Sequence, residues 1–90
     1  MFVNVLEYDI EISPSRYMAF VTYEDRPGMI GQVGMVLGAR DVNISGLSVG
    51  HMAIDGVAGM GLNLDSPITK EINDELVSQD GIKRAQFLEL

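Results

Sequence analysis

The order of strand-like and helix-like segments is the feature of this sequence that most restricts its fold. Four apolar segments have the length or alternation of β-strands, and two have apolar side chains at helical spacing. The predicted strands cover residues 17–24, 42–51, 57–64 and 82–89, and the predicted helices lie between residues 28 and 40 and between residues 66 and 81. This β-α-β-β-α-β order predicts an α+β, ferredoxin-like fold, an antiparallel sheet with two helices on one face.

An extra strand is predicted at the N-terminus, where residues 2–12 alternate between apolar and polar side chains. Its apolar face comprises Leu6, Tyr8, Ile10 and Ile12. A turn at residues 13–15 follows, with a proline between two serines. We therefore predict an N-terminal strand and linker from a preceding domain over residues 1–16, and a folded domain over residues 17–90.

Two patterns predict close packing. The strand at 17–24 is apolar on both faces, which implies that something covers the second face. The first helix carries Gly28, Gly31, Gly34 and Gly38, and each interior glycine costs about 0.5–1 kcal/mol relative to alanine. We therefore expect this helix to pack closely against the sheet or another backbone.

In the second helix, Ser66 is the predicted N-cap.

Charge and composition argue against several classes of function. A net charge of −7, from 13 acidic and 6 basic residues, opposes binding to nucleic acid or to an anionic membrane. No apolar run approaches the roughly 20 residues that span a bilayer, and the N-terminus does not resemble a signal peptide. The sequence has no cysteine, so we expect a cytoplasmic protein. A chain of 90 residues has a thin core, which favours a partner surface.

The sequence also lacks the residues that catalysis requires. His51 is the single histidine, so neither a histidine pair for a metal nor a histidine base with an evident nucleophile is available. The glycine spacing at residues 28–34 differs from the dinucleotide-binding pattern and lies inside a predicted helix. The inner strands lack the aromatic pair with which RNA-binding sheets of this type stack bases. We expect no catalytic, metal or cofactor site in this chain.

Three polar side chains occur where a strand meets a loop. Tyr23 and Asp25 lie where the strand at 17–24 turns into the first helix, and Asn43 lies after that helix. We expect these two loops to lie at the same end of the sheet. A phenol, a carboxylate, an amide and the unsatisfied N–H groups of a helix N-terminus together suit a free amino acid. Each residue also has a structural interpretation: Asp25 as a helix cap, Asn43 as a turn residue and Tyr23 as a strand aromatic.

The sequence around these positions contains a recognisable pattern. Tyr-Glu-Asp-Arg-Pro-Gly-Met-Ile-Gly at residues 23–31 is followed by Asp-Val-Asn-Ile-Ser at 41–45 and Gly-Met-Gly-Leu-Asn-Leu-Asp at 59–65. This pattern resembles the signature of ACT domains, most closely those that end D-3-phosphoglycerate dehydrogenases. The resemblance implies an allosteric sensor of L-serine in serine biosynthesis. It also implies a homodimer whose sheets pair edge to edge and bind serine between them.

The resemblance further implies which residues bind the ligand. The family's ligand positions correspond to Tyr23, Asp25 and Asn43, and many members carry histidine and asparagine at the first two. The implied amino-acid site comprises Tyr23, Asp25, Pro27, Gly28, Met29, Ile30, Asn43 and Ile44. The hydride chemistry of an NAD-dependent parent enzyme would reside in a separate Rossmann domain, so this chain is expected to be a non-catalytic part of such an enzyme.

Two alternatives remain open from the sequence. An ACT domain of an iron–sulfur L-serine dehydratase has a similar motif, and its full-length gene would encode cysteine ligands in place of a Rossmann domain. A structural dimerisation module without a ligand would also suit the two-sided apolar strand. Stabilisation by individual amino acids would separate a ligand-binding domain from a purely structural one.

Overall fold

The chain forms a four-stranded antiparallel sheet with two helices in a computed structural model that describes residues 3–5, 10–51 and 56–90. The elements are β1 (Val3–Val5), β2 (Ile10–Ile12), β3 (Tyr17–Glu24), α1 (Met29–Ala39), β4 (Ile44–His51), β5 (Val57–Leu64), α2 (Lys70–Ser78) and β6 (Ile82–Glu89). The spatial order of the sheet is β4-β5-β3-β6, and all neighbouring strands are antiparallel. The predicted ferredoxin-like α+β fold is confirmed.

The main core lies between the sheet and the two helices. Side chains alternate between the faces of a strand, so every second residue of β3 and β5 points toward the helices. Apolar stripes of α1 and α2 cover these residues. The buried members of this core are Ala19, Val21, Tyr23, Met29, Val33, Val36, Leu37, Val42, Ala58, Met60, Leu62, Leu64, Ile68, Ile72, Leu76 and Ile82.

A second, smaller core covers the opposite face of β3. It consists of Ile10, Ile12, Met18 and Phe20. β2 supplies the two isoleucines and pairs antiparallel with β1, so the segment expected as one strand over 2–12 contains two short strands. Leu6 and Tyr8, predicted for its apolar face, lie outside the described residues. The second apolar face of β3 is therefore covered by the chain's own N-terminal segment, and it does not require a partner subunit.

Gly61 of β5 makes room for this second core. A Cβ atom there would lie 3.0 Å from Ile12 Cδ1, which is tighter than ordinary contact, and 3.4 Å from Ile10 Cγ2. One position further along the same face of β5, Asn63 donates a hydrogen bond from Nδ2 to the Ser13 carbonyl oxygen at 2.8 Å. The N-terminal segment is thus held both by apolar packing and by a polar anchor.

The glycines of α1 do not pack closely against another part of the described chain. A Cβ atom added at Gly31, Gly34 or Gly38 would meet no atom within 4 Å. The helix instead turns larger side chains such as Val33 and Leu37 toward the sheet, because its apolar stripe runs along the opposite side. The expectation that the glycines serve close packing within the chain is wrong.

α2 begins later than predicted. Thr69 is its N-cap, and the Thr69 Oγ1 accepts a hydrogen bond from the Ile72 backbone N–H at 3.3 Å. Ser66, the predicted N-cap, lies in the preceding bend because residues 67–69 remain non-helical. After the helix, Gly81 adopts a φ of +91° in the turn into β6, a conformation that favours glycine.

We predict that Gly61→Val lowers the free energy of unfolding by about 1–3 kcal/mol, because the added atoms would displace Ile10 and Ile12 from the face of β3. Urea unfolding measures the change. Gly38→Ala is the matched control, and it should raise stability by about 0.5–1 kcal/mol, since its methyl group meets open space in a helix. Equal effects of the two substitutions would contradict the packing of the N-terminal segment.

Candidate functional site

Tyr23 and Asp25 lie together at the end of β3. The Tyr23 side chain is buried in the main core, and the exposed Asp25 begins the loop that leads to α1. The Asp25 backbone N–H donates to the Gly56 carbonyl oxygen at 2.9 Å, which fixes the start of this loop against the turn before β5. Burial raises the pKa of the Tyr23 phenol above its ordinary value, and the nearby Asp25 carboxylate raises it further because two negative charges would repel.

The loop between β3 and α1 is also held from its other side. Arg26 forms ion pairs with Glu24, at 3.2 Å from Nε to Oε2, and with Asp80, at 3.1 Å from Nη2 to Oδ2. The Glu24 backbone N–H donates to the Gly81 carbonyl oxygen at 2.8 Å. Gly81 allows this approach, because a Cβ atom there would lie 2.6 Å from Arg26 Nη2. The turn after α2 therefore supports the loop that carries Asp25.

The N-terminus of α1 opens onto this loop. Gly28 is the N-cap, with a φ of +90° and no side-chain capping bond, so Asp25 is not the N-cap residue of this helix. Pro27, Gly28 and Ile30 are exposed, whereas Met29 is buried in the main core. A helix N-terminus carries partial positive charge and unsatisfied N–H groups, so this end of α1 suits a carboxylate.

Asn43 is paired with an acidic residue that sequence reasoning did not identify. The Asn43 Nδ2 donates to Asp65 Oδ2 at 2.6 Å, and the Asp65 backbone N–H donates to the Asn43 carbonyl oxygen at 3.1 Å. The register of β4 and β5 explains this pair, because Ile44 is opposite Leu64 and the next residues outward face each other. The sequence signal for Asp65 was its position directly after the predicted strand at 57–64.

The structure places Asn43 at the opposite end of the sheet from Tyr23. β3 and β4 both pair antiparallel with β5, so they run parallel to each other. Tyr23 is opposite Ala58 at one end of β5, while Ile44 is opposite Leu64 at the other end. At about 3.3 Å per residue, the two positions are roughly 20 Å apart along the strands. The expectation that the two loops share one end of the sheet is wrong, because the helical crossover returns the chain to the far end.

The edge strand β4 exposes apolar side chains without protecting charges. Leu47 and Val49 are each 46% exposed and lie opposite Leu62 and Met60, so they point to the helix side of the sheet. The strand reads Ile-Ser-Gly-Leu-Ser-Val-Gly-His and contains neither acidic nor lysine or arginine side chains. The other edge strand, β6, carries charges including Lys83, a common protection against pairing with another chain.

The described part of the chain contains neither a cluster of metal ligands nor a membrane-spanning helix. Within residues 3–5, 10–51 and 56–90, no group of three or more histidine, aspartate or glutamate side chains is placed to hold a metal ion. In the same segments, neither helix is long and apolar enough to cross a membrane. Asp25 interacts electrostatically with the Tyr23 phenol where β3 leads into the loop before α1.

We predict that Asp25→Asn lowers the pKa of Tyr23 toward its ordinary value and leaves it raised, because burial is the larger cause. The chemical shift of the Tyr23 ring carbons against pH measures this midpoint. The phenol's contribution to stability is present below its unfolded-state pKa of 10.0, and it is lost as the pH rises through the raised folded-state pKa. An unchanged midpoint in Asp25→Asn would show that the two groups do not interact.

Comparison with known proteins identifies the family. The sequence model of the ACT domain family matches residues 17–80 of this chain. D-3-phosphoglycerate dehydrogenases from Synechocystis sp. and Archaeoglobus fulgidus are 37% and 35% identical, over 97% and 92% of this chain. The chain spans 16% of the length of each of these relatives.

The fold also agrees with a solved structure. The ACT domain from the GTP pyrophosphokinase of Chlorobium tepidum superposes with a TM-score of 0.59 at 22% identity, covering 80% of this chain and 95% of that one. At this identity the likeness concerns the fold alone. The family match and the relatives agree with the strand order and the motif residues described above, and the chain belongs to the ACT domain family.

Proposed function

We propose that this chain is the L-serine-sensing allosteric module of a D-3-phosphoglycerate dehydrogenase in the cytoplasm, and that it binds serine between two copies of itself. The observation that carries the proposal is the placement of Tyr23 and Asp25 beside the N-terminus of α1. The division into residues 1–16, leading from a preceding domain, and residues 17–90 belongs to the same proposal. The NAD-dependent chemistry is assigned to the remainder of the enzyme.

The chemistry of the site matches both ends of an amino acid. The N–H groups at the start of α1 suit the ligand carboxylate, with Pro27, Gly28 and Ile30 exposed around them. The Asp25 carboxylate balances the ligand ammonium through a charge-assisted hydrogen bond. Met29 supports the loop from within the core, so its role is to shape the site.

A second copy supplies the residue that one chain cannot bring to this site. If two β4 edges pair antiparallel about a two-fold axis, the start of β4 in one copy lies beside the end of β4 in the other. Asn43 and Ile44 of the partner subunit then reach the end of the sheet that carries Tyr23 and Asp25. The uncharged edge with its exposed Leu47 and Val49 favours this pairing.

The relatives favour this proposal over the sequence-based alternatives. The relatives described above are named D-3-phosphoglycerate dehydrogenase, which supports that parent enzyme over a serine dehydratase. The covered second face of β3 removes the main argument for a purely structural dimer, since its apolar side chains already pack against Ile10 and Ile12. The edge of β4 supplies the argument for a dimer instead.

We predict that the chain binds L-serine and that Asp25→Ala weakens binding by about 10- to 150-fold, the loss of a charge-assisted hydrogen bond. Asp25→Asn should lose less serine affinity than Asp25→Ala, since asparagine retains a hydrogen-bond acceptor. Calorimetric titration of all three proteins measures the affinities, and melting curves without serine serve as the control. Unchanged serine affinity in Asp25→Ala would contradict the proposed serine site.

We also predict that mixing Asp25→Ala with Asn43→Ala restores strong binding, although each variant alone binds weakly. A mixed dimer has one site with both residues intact, so an exchanged mixture should show about one strong site per four chains. Titration of the mixture measures this number, and sedimentation confirms the dimer. If both residues served a site within one chain, mixing would restore nothing.

A further inference from the structure

The carboxylate of Asp65 holds the side chain of Asn43 in one orientation. The contact from Asn43 Nδ2 to Asp65 Oδ2 is 2.6 Å, and the backbone bond from Asp65 N–H to the Asn43 carbonyl oxygen, at 3.1 Å, ties the same two residues together. Both residues are exposed, and they flank the paired positions Ile44 and Leu64. The register of β4 and β5 therefore brings these two residues together within one chain, without a ligand.

Hydrogen-bond chemistry fixes which end of the amide faces outward. A carboxylate accepts hydrogen bonds and does not donate them, and the side chain of asparagine has donors on its nitrogen alone. The amide nitrogen of Asn43 must therefore face Asp65, and the amide oxygen Oδ1 must face away from it. An asparagine without such a neighbour would present its donor or its acceptor with little preference.

We propose that Asp65 is a positioning residue that presents Asn43 Oδ1 as an acceptor for the ammonium group of the bound amino acid. The proposal rests on the proposed function, in which Asn43 reaches the site of the partner subunit. Asp65 acts through Asn43 and is not itself required to touch the ligand. This orientation of the Asn43 amide makes the site selective. An acceptor that faces outward favours a ligand with an ammonium group over one with a hydroxyl group in that position.

Asp41 provides a matched control for the charge of Asp65. It is an exposed carboxylate two residues before Asn43, and its backbone N–H bonds to the Gly38 carbonyl oxygen at 3.1 Å. Its φ of +58° is one that asparagine tolerates well, so Asp41→Asn removes the same charge without straining the backbone. Asp65→Asn removes the charge and also allows the Asn43 amide to turn either way, since an amide both donates and accepts.

The test is a titration of L-serine and of L-glycerate, in which a hydroxyl replaces the ammonium, into the parent protein, Asp65→Asn and Asp41→Asn. We expect Asp65→Asn to lose about tenfold in serine affinity and to show a smaller ratio of serine to glycerate affinity. Asp41→Asn should change both affinities by less than about twofold, as for a screened surface charge. Melting curves without ligand separate these effects from a general loss of stability.

Three results would overturn the assignment in different ways. If the parent binds serine and Asp65→Asn behaves like Asp41→Asn, the positioning role of Asp65 is wrong and the serine site stands. If the parent binds no serine, the proposed function fails, and the role of Asp65 fails with it. A lower melting temperature of Asp65→Asn with an unchanged ratio of affinities would show a structural bond only, and it would also overturn the positioning role.

Discussion

The burial of β3 on both faces is the constraint on which the rest of the structure depends. β3 pairs with β5 on one side and β6 on the other, and it contributes to both cores. Displacing this strand would break two ladders of backbone hydrogen bonds and expose apolar surface on both faces. Its C-terminal end, at Tyr23 and Glu24, therefore gives the loop at Asp25 a fixed base.

Hydrophobic periodicity was sufficient to predict the elements of the sheet and the helices, because each depends on spacing between near neighbours. In β5 the alternating residues Met60 and Leu62 are both buried in the main core, and in α2 the residues Ile72 and Leu76, four apart, form the buried side. Helix starts were less predictable. Ser66 and Thr69 are both good capping residues, and in the structure Thr69 caps the helix directly after the buried Ile68.

The arrangement of the candidate site could not be predicted from local pattern, because it depends on strands distant in sequence. The three polar residues were recognised, but their distribution between the two ends of the sheet follows from the pairing of β3 and β4 with β5. The bond between Asn43 and Asp65 depends on the same register. The packing of Ile12 over Gly61 likewise joins residues that no local periodicity relates.

In the proposed dimer, the parallel relation of β3 and β4 would link ligand binding to assembly. A ligand at the end of β3 would gain the Asn43 contact only when the second copy brings that residue across the β4 edge. Serine would then bind the dimer more tightly than the single chain, and by thermodynamic reciprocity it would strengthen the dimer by the same factor. The rigid support of β3 suits this arrangement, since it keeps Asp25 in place while the interface responds. In the proposed sensor, the signal is therefore carried by the stability of the contact between two chains, and it does not require a rearrangement within either one.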